Sequence, residues 1–319
     1  MKFFNIALLC LSVGLVGCQH NVHQTVQSSH SLEEAYSDVD YSTFTKHKQK
    51  QKPVIALVLG SGGARGYAHI GVIEVLEQNG IKPDFIVGTS AGSVVGSIYA
   101  SGKSAEELRQ IALDMQVHDV RNINIRKKGV LDGGIVEEYV NNKVDQLKLE
   151  DLKIPMYVVA TELKSGEKVV FNKGSTGQAV RASISIPSMF IPAKISGKEY
   201  VDGGLVSPVP VNVARQLGAD IVIAVDILPQ PMHAETKNIW GMFNQNIYIM
   251  QTKMAEQELK HADVVIRPDL RERLHIFDMK GKETTMQLGM DAAAAQINTI
   301  EQVIDAKSGS KARYYSAKK

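Results

Sequence analysis

The stretch DFIVGTSAGSVVGSIYASG, residues 84–102, is where the fold reading turns. Phe85-Ile86-Val87 is an apolar run of strand length, and Gly88-Thr89-Ser90-Ala91-Gly92 breaks it before a helical segment begins. In a strand–turn–helix of the G-x-S-x-G kind, the central residue is held in a strained backbone conformation. Flanking glycines remove the side chains that would collide with it, so the Ser90 hydroxyl stands clear. The helix behind it points its positive end at any charge that forms there. Gly92, Ser93, Gly96, Ser97 and Ala100 are small enough for close packing on a neighbour, and Ser101-Gly102 closes the helix. An ordinary glycine-rich turn carries the same pentad; the strand before it and the helix after it favour a nucleophile elbow.

Upstream, Val54 to Leu59 reads as a buried strand after Pro53. Gly60-Ser61-Gly62-Gly63-Ala64-Arg65-Gly66 and a helix from Tyr67 to Asn79 follow. These glycines do not fit the G-x-G-x-x-G dinucleotide spacing, and the Lys-Ser/Thr pair of a P-loop is missing. What the loop offers is a row of backbone N–H groups, suited to an oxyanion as well as to a phosphate.

Downstream, Ser104-Ala105-Glu106-Glu107 is a capping box, residues 117–134 read as a loop with the basic patch Arg126-Lys127-Lys128, and an amphipathic helix spans Ile135 to Leu147. Pro155 to Leu163 is a strand that Lys164-Ser165-Gly166-Glu167 turns into a hairpin with Lys168 to Asn172. A helix over Gln178 to Ser185 stops near Pro187. A second hairpin, Phe190 to Ile195 with Glu199 to Val201, then delivers Asp202-Gly203-Gly204. Pro208 and Pro210 precede a helix ending at Gly218, Ile221 to Ile227 is a buried strand, Ile239 to Leu259 is a long helix and Val264 to Ile266 a short strand. Strands alternating with helices predict an α/β fold on a mainly parallel sheet.

The 319 residues, 44% hydrophobic, suffice for one large core without staples, and a net charge of +2 gives no reason to expect nucleic acid as a partner. No histidine–acid spacing suggests a metal, and no cofactor is expected. At the N-terminus, Lys2 and an apolar run to Gly17 read as a signal peptide. Leu15-Val16-Gly17-Cys18 resembles the lipobox of bacterial lipoproteins, which implies lipidation of Cys18 and, in a Gram-negative cell, sorting to the outer membrane. A plain secretory peptide or an uncleaved anchor is the competing reading. The expected organisation is a signal peptide at 1–17, a Gln/Ser/Lys-rich tether at 18–52, a catalytic domain at 53–233, and a helical extension at 234–319 that completes the domain and ends in a basic tail.

Two kinds of hydrolase use such an elbow. An α/β-hydrolase places several strands before the nucleophile and continues to an acid and a histidine, whereas here only Pro53 to Thr89 precede Ser90. Of the later histidines, His118, His233, His261 and His275, none follows a strand at a glycine hinge. The three motifs GSGGARG (60–66), GTSAG (88–92) and DGG (202–204), in this order, resemble the patatin-like phospholipase family, from Pro53 to beyond residue 300 and including the Arg181-to-Pro187 segment. The resemblance implies a three-layer α/β/α fold and acyl-ester hydrolysis by a Ser-Asp dyad, with Ser90 as nucleophile and Asp202 as base. It also implies an oxyanion hole from the Gly62 and Gly63 amides, helped by the charge of Arg65, with Gly60, Gly66, Gly88, Gly92, Gly203 and Gly204 as motif glycines. Ser61 stands where many members have glycine. Asp132-Gly133-Gly134 repeats the triplet after a loop and reads as a turn; Asp226 ends a buried strand and ranks second as a base.

The expected substrate is a membrane phospholipid or lysophospholipid. The competing readings are a thioesterase or carboxylesterase acting on soluble acyl compounds, and a lipid-binding scaffold without turnover. The apolar side of the 239–259 helix reads as core packing rather than a lipid-docking face.

Overall fold

The computed structural model describes residues 52–116, 123–126, 129–229, 239–270 and 281–316. The side chains of 123–126, 129–130, 239–240, 243 and 310–316 lie outside the description. So do Cys18, the lipobox, the tether up to Gln51, Lys127-Lys128, His118, His233 and His275.

The elements are β1 (Ile55–Leu59), α1 (Tyr67–Gln78), β2 (Phe85–Thr89), α2 (Ala91–Ala100), α3 (Ala105–Asp114), β3 (Ile123–Arg126), β4 (Gly129–Leu131), α4 (Gly134–Lys143), β5 (Met156–Glu162) and β6 (Lys168–Phe171). They continue with α5 (Thr176–Ile184), β7 (Ala193–Ile195), β8 (Lys198–Asp202), α6 (Val211–Gln216), β9 (Ile221–Val225), α7 (Ile239–Glu258), β10 (Val264–Ile266), α8 (Lys282–Ala294) and α9 (Ile297–Ser316). The main sheet runs β10-β9-β1-β2-β5-β8-β7, with β6 also paired to β5. It is parallel from β10 to β5 and antiparallel where β6, β7 and β8 join.

Side-chain alternation along the parallel strands builds a layer on each face. Leu57, Leu59, Ile86, Ile223 and Val225 join the core beneath α1, α2 and α5. Ala56, Val58, Phe85, Val87, Val222 and Ala224 join a second core with Val211 and Val213 of α6 and with Ala255 of α7. The outcome is the three-layer α/β/α architecture expected, with helices on both faces of a sheet that is mostly parallel.

Two local expectations are corrected. Residues 117–134 are not all loop: β3 and β4 form an antiparallel pair joining Ile123 to Leu131 and Arg126 to Gly129. Ile123 and Ile125 alternate with Asn124 and Arg126, a strand signal that the neighbouring basic patch obscured. The helix expected to reach Leu147 stops at Lys143, because Asp145 and Gln146 adopt φ of 55° and 61°. The polar chain end is also more regular than its composition suggests. There α8 crosses α1 so closely that Gly71 abuts the Met286 carbonyl and Gly289 abuts the Ala68 carbonyl. Lys282 then donates to the carbonyls of Leu113 and Met115, at 3.0 and 2.5 Å, securing the end of α3.

Candidate active site

Strand β5 brings the two candidate catalytic residues together. Its Val158–Thr161 segment pairs with β6 along one edge, so β2 and β8 must share the other edge. There β2 pairs up to Thr89–Val159, and β8 takes over at the next position, Asp202–Ala160. Ser90 follows Thr89 directly, so the ends of β2 and β8 meet.

At that meeting point the Ser90 hydroxyl donates to Asp202 Oδ2 at 2.7 Å. Both residues are buried, 5% and 4% exposed. Ser90 has φ 52° and ψ −119°, a conformation that costs a residue other than glycine about 1–3 kcal/mol and that neighbouring bonds must sustain. Its N–H donates to Ser183 Oγ at 2.8 Å, and Ser183 donates to the Val159 carbonyl at 2.6 Å. Its carbonyl accepts from Ser93 Oγ at 2.6 Å and from the Ser93 N–H at 2.9 Å, fixing it as the N-cap of α2. A Cβ at Gly88 would lie 2.6 Å from the Gly92 carbonyl, and one at Gly92 would collide with the Leu59 carbonyl. Strand and helix can therefore approach closely enough to force the turn.

Asp202 is held equally firmly. Its Oδ1 accepts the Gly204 N–H at 2.6 Å, its N–H donates to the Ser185 carbonyl at 2.9 Å, and its carbonyl accepts from Thr161 Oγ1 at 2.9 Å. Burial pushes its carboxyl up to about 6, against the opposing pull of the Ser90 hydroxyl and the Gly204 amide. A base tuned this way is ionised at neutral pH yet basic enough to accept a proton from serine. Gly203 packs against the Val159 carbonyl, leaving no room for a side chain behind the dyad.

The glycine loop leads into a 3-10 turn, Gly63–Gly66, whose leading N–H groups have no acceptor within the turn. Gly63, at φ 58°, lines the same cavity as Ser90. Gly62 packs against Ile227 instead, and a Cβ at Gly66 would lie 3.0 Å from that of Ala91, so the loop sits directly on the elbow. Arg65 is not among the cavity-lining residues. Burial lowers its guanidinium pKa, partly offset by Tyr248 on α7. The geometry therefore brings Ser90, Asp202, Gly63 and Gly66 together but leaves Gly62 and the Arg65 charge out of the cavity lining. Asp132 accepts the Gly134 N–H at 2.9 Å and pairs with Arg181 at 3.4 Å, a turn role. Asp226 accepts from Arg267 at 2.9 Å just past the end of β9, a strand that β1 separates from β2.

The cavity above Ser90 measures about 170 Å³ and is walled almost entirely by apolar side chains, among them Tyr67, Ile98, Ile111, Met115, Val136 and Phe190. Among the described residues no histidine touches Ser90: His261 is exposed, and His69 is buried against the loop. Sequence reasoning overlooked Ser183, which serves the elbow, and Glu258, which accepts from Ser207 Oγ at 2.7 Å while the Ser207 carbonyl accepts from Thr89 Oγ1 at 2.9 Å. Helical spacing gave a signal for Glu258, since it falls three residues after the buried Ala255. No cluster of potential metal ligands occurs among the described residues.

Residues 57–215 match the family model for patatin-like phospholipase. An uncharacterized NTE family protein of Mycobacterium tuberculosis is 38% identical over 178 residues, 55% of this chain and 49% of that protein. The human patatin-like phospholipase domain-containing protein 6 is 34% identical over 182 residues, 54% of this chain and 13% of that protein. The chain thus spans about half the length of the mycobacterial relative. Among solved structures, VipD from Legionella pneumophila superposes with a TM-score of 0.46 at 14% identity, covering 80% of this chain and 67% of that one.

Proposed function

The chain belongs to the patatin-like phospholipase family, and on that premise we propose that it hydrolyses acyl esters of membrane phospholipids or lysophospholipids, with Ser90 as nucleophile and Asp202 as general base. The supporting observation is the 2.7 Å bond between two buried residues, with the serine opening onto an apolar cavity and the aspartate screened behind it. An acyl chain fills such a cavity at a gain of about 0.8 kcal/mol per methylene removed from water.

In the proposed reaction Asp202 Oδ2 takes the hydroxyl proton as Ser90 Oγ attacks the ester carbonyl carbon. The carbonyl π electrons move to the oxygen, which is held by the Gly63 amide, with Gly62 beside it, and by the positive end of α2. Collapse of this intermediate expels the alcohol, which takes the proton back from Asp202, and leaves an acyl-Ser90 ester. Water repeats the sequence, Asp202 again acting as base, and the fatty acid departs.

The test is a fluorophosphonate label on the full chain together with lipid product profiling. Labelling at Ser90 and release of fatty acid from phospholipid vesicles are expected, with both lost in Ser90→Ala. An unlabelled wild type would sink the enzymatic reading in favour of a binding scaffold. Turnover of short soluble esters alone would replace it with the carboxylesterase or thioesterase reading.

A further inference from the structure

His69 is fully buried in the first turns of α1, and its Nε2 lies 2.9 Å from the Gly60 carbonyl. A carbonyl only accepts, so Nε2 carries the proton and Nδ1 is left as an acceptor. That Nδ1 is buried with no hydrogen-bond partner among the described residues. Such an orphan is costly, and a leucine would fill the same space without the cost. Among the described residues, the one polar contact that sets the imidazole apart from a leucine there is that to Gly60.

Gly60 is where the glycine loop leaves the sheet. Its N–H donates to the Val225 carbonyl at 3.1 Å, and the next amide, Ser61, donates to the Pro208 carbonyl at 2.8 Å. His69 adds a bond on the carbonyl side of the same segment, tying the helix after the loop to the loop's own entrance. At the far end Arg65 N–H closes on the Gly62 carbonyl at 3.2 Å, and Gly66 rests on Ala91. Gly62 and Gly63 span the gap between these anchors, so the tilt of the Gly60 peptide sets where their N–H groups point.

We infer that His69 is a positioning residue: its Nε2–H clamps the Gly60 carbonyl and thereby aims the oxyanion amides at the carbonyl under attack by Ser90. This role rests on the reading of Ser90 as nucleophile. Burial holds the imidazole down to about 4, against the pull of the Gly60 bond, so the clamp stays a neutral donor across the range in which Asp202 titrates.

The test compares His69→Leu, which removes the donor, with His69→Gln, whose amide N–H can reach the same carbonyl, using the full chain and p-nitrophenyl octanoate. In His69→Leu, kcat is expected to fall roughly 10²-fold with KM within about twofold, the scale of an ångström-sized misplacement. His69→Gln should recover at least about tenfold of that loss and leave the acid limb of the pH profile near its wild-type position. Amide hydrogen exchange of the 60–66 peptide should speed up in His69→Leu and not in His69→Gln, a readout that does not need turnover. Unchanged kcat and loop exchange in His69→Leu would overturn the inference. So would equal losses in both variants, or a change carried by KM alone. Should His69→Leu not fold, His69→Gln decides: wild-type loop exchange with kcat within about tenfold of wild type upholds the clamp, and accelerated exchange or a larger loss of kcat overturns it. The Ser90→Ala comparison reports separately on the nucleophile, and loop exchange still tests the clamp if that reading fails.

Discussion

A carboxyl group that must be charged to act as a base, buried where charge is disfavoured, ties activity and stability to pH in opposite directions. Asp202 has a folded-state value of about 6, above its ordinary 3.8. Its contribution to stability is therefore full below about 3.8 and lost as pH rises through about 6, by an amount on the order of 3 kcal/mol. The proposed role as base needs the ionised form, so kcat/KM should rise as pH passes through about 6. Asp202→Asn is expected to lose about 10²–10⁴ in kcat. The same variant should melt above wild type at pH 8 and lose that advantage at pH 4, because the amide is neutral at both. A kcat/KM profile flat from pH 5 to 8 would remove Asp202 from the proton transfer.

Residue identity made part of this legible in the sequence: the glycines around Ser90 announced the turn, and the hairpin strand leading into its DGG triplet singled out Asp202 from its double at Asp132, whose triplet follows a loop. Ser183 gave no comparable signal. A hydroxyl that accepts a backbone N–H from 93 positions away looks like any helix serine until the sheet has formed. His69 was equally opaque, because its bond to Gly60 depends on α1 folding back over the loop that precedes it.

Among the elements, α7 shows how a helix can serve a site it does not line. Gln251 donates to the Gly204 carbonyl at 3.2 Å, and Glu258 accepts from Ser207. Meanwhile Met242, Ile249 and Met250 are exposed, so much of its apolar surface faces outward rather than into the core expected from its sequence. Burial pushes Glu258 up to about 7, opposed by the Ser207 hydroxyl and by Lys168. Its stabilising contribution is present below about 4.5 and lost as pH rises through about 7. Glu258→Gln keeps an acceptor for Ser207 and removes the charge. It should raise the thermal midpoint by a few °C at pH 8 and leave it unchanged at pH 4; parallel curves would show that Glu258 is not titrating in the fold. The α1–α8 crossing yields a second expectation: Gly289→Val should cost about 1–3 kcal/mol or more in a denaturant titration, since the Ala68 carbonyl occupies the side-chain position. Strands with continuous apolar runs, β1, β2 and β9, were readable from pattern alone. The β3–β4 pair and α8 were not, because short strands and a polar helix make sense only against partners distant in sequence.

For the molecule as a whole, the span matched by the family model ends at residue 215, yet the support of the site continues beyond it. α7 reaches back to the Gly204 and Ser207 turn, and Lys282 at the start of α8 holds the end of α3, whose Ile111 and whose neighbour Met115 wall the cavity. For the N-terminal segment, we propose lipidation at Cys18: Cys18→Ala should shift the protein from the membrane to the soluble fraction of the cell, and an unchanged distribution would remove lipidation as the anchor.

The shared edge of β5 has a further outcome. Ser90 and Asp202 are 112 positions apart and meet only because β8 takes up the pairing where β2 leaves off. A slip of one residue in β8 would rotate Asp202 to the opposite side of the sheet. Until that late hairpin has locked in register, a partly folded chain carries Ser90 without the carboxylate that accepts its hydroxyl hydrogen bond, so the elbow is assembled well before its partner arrives.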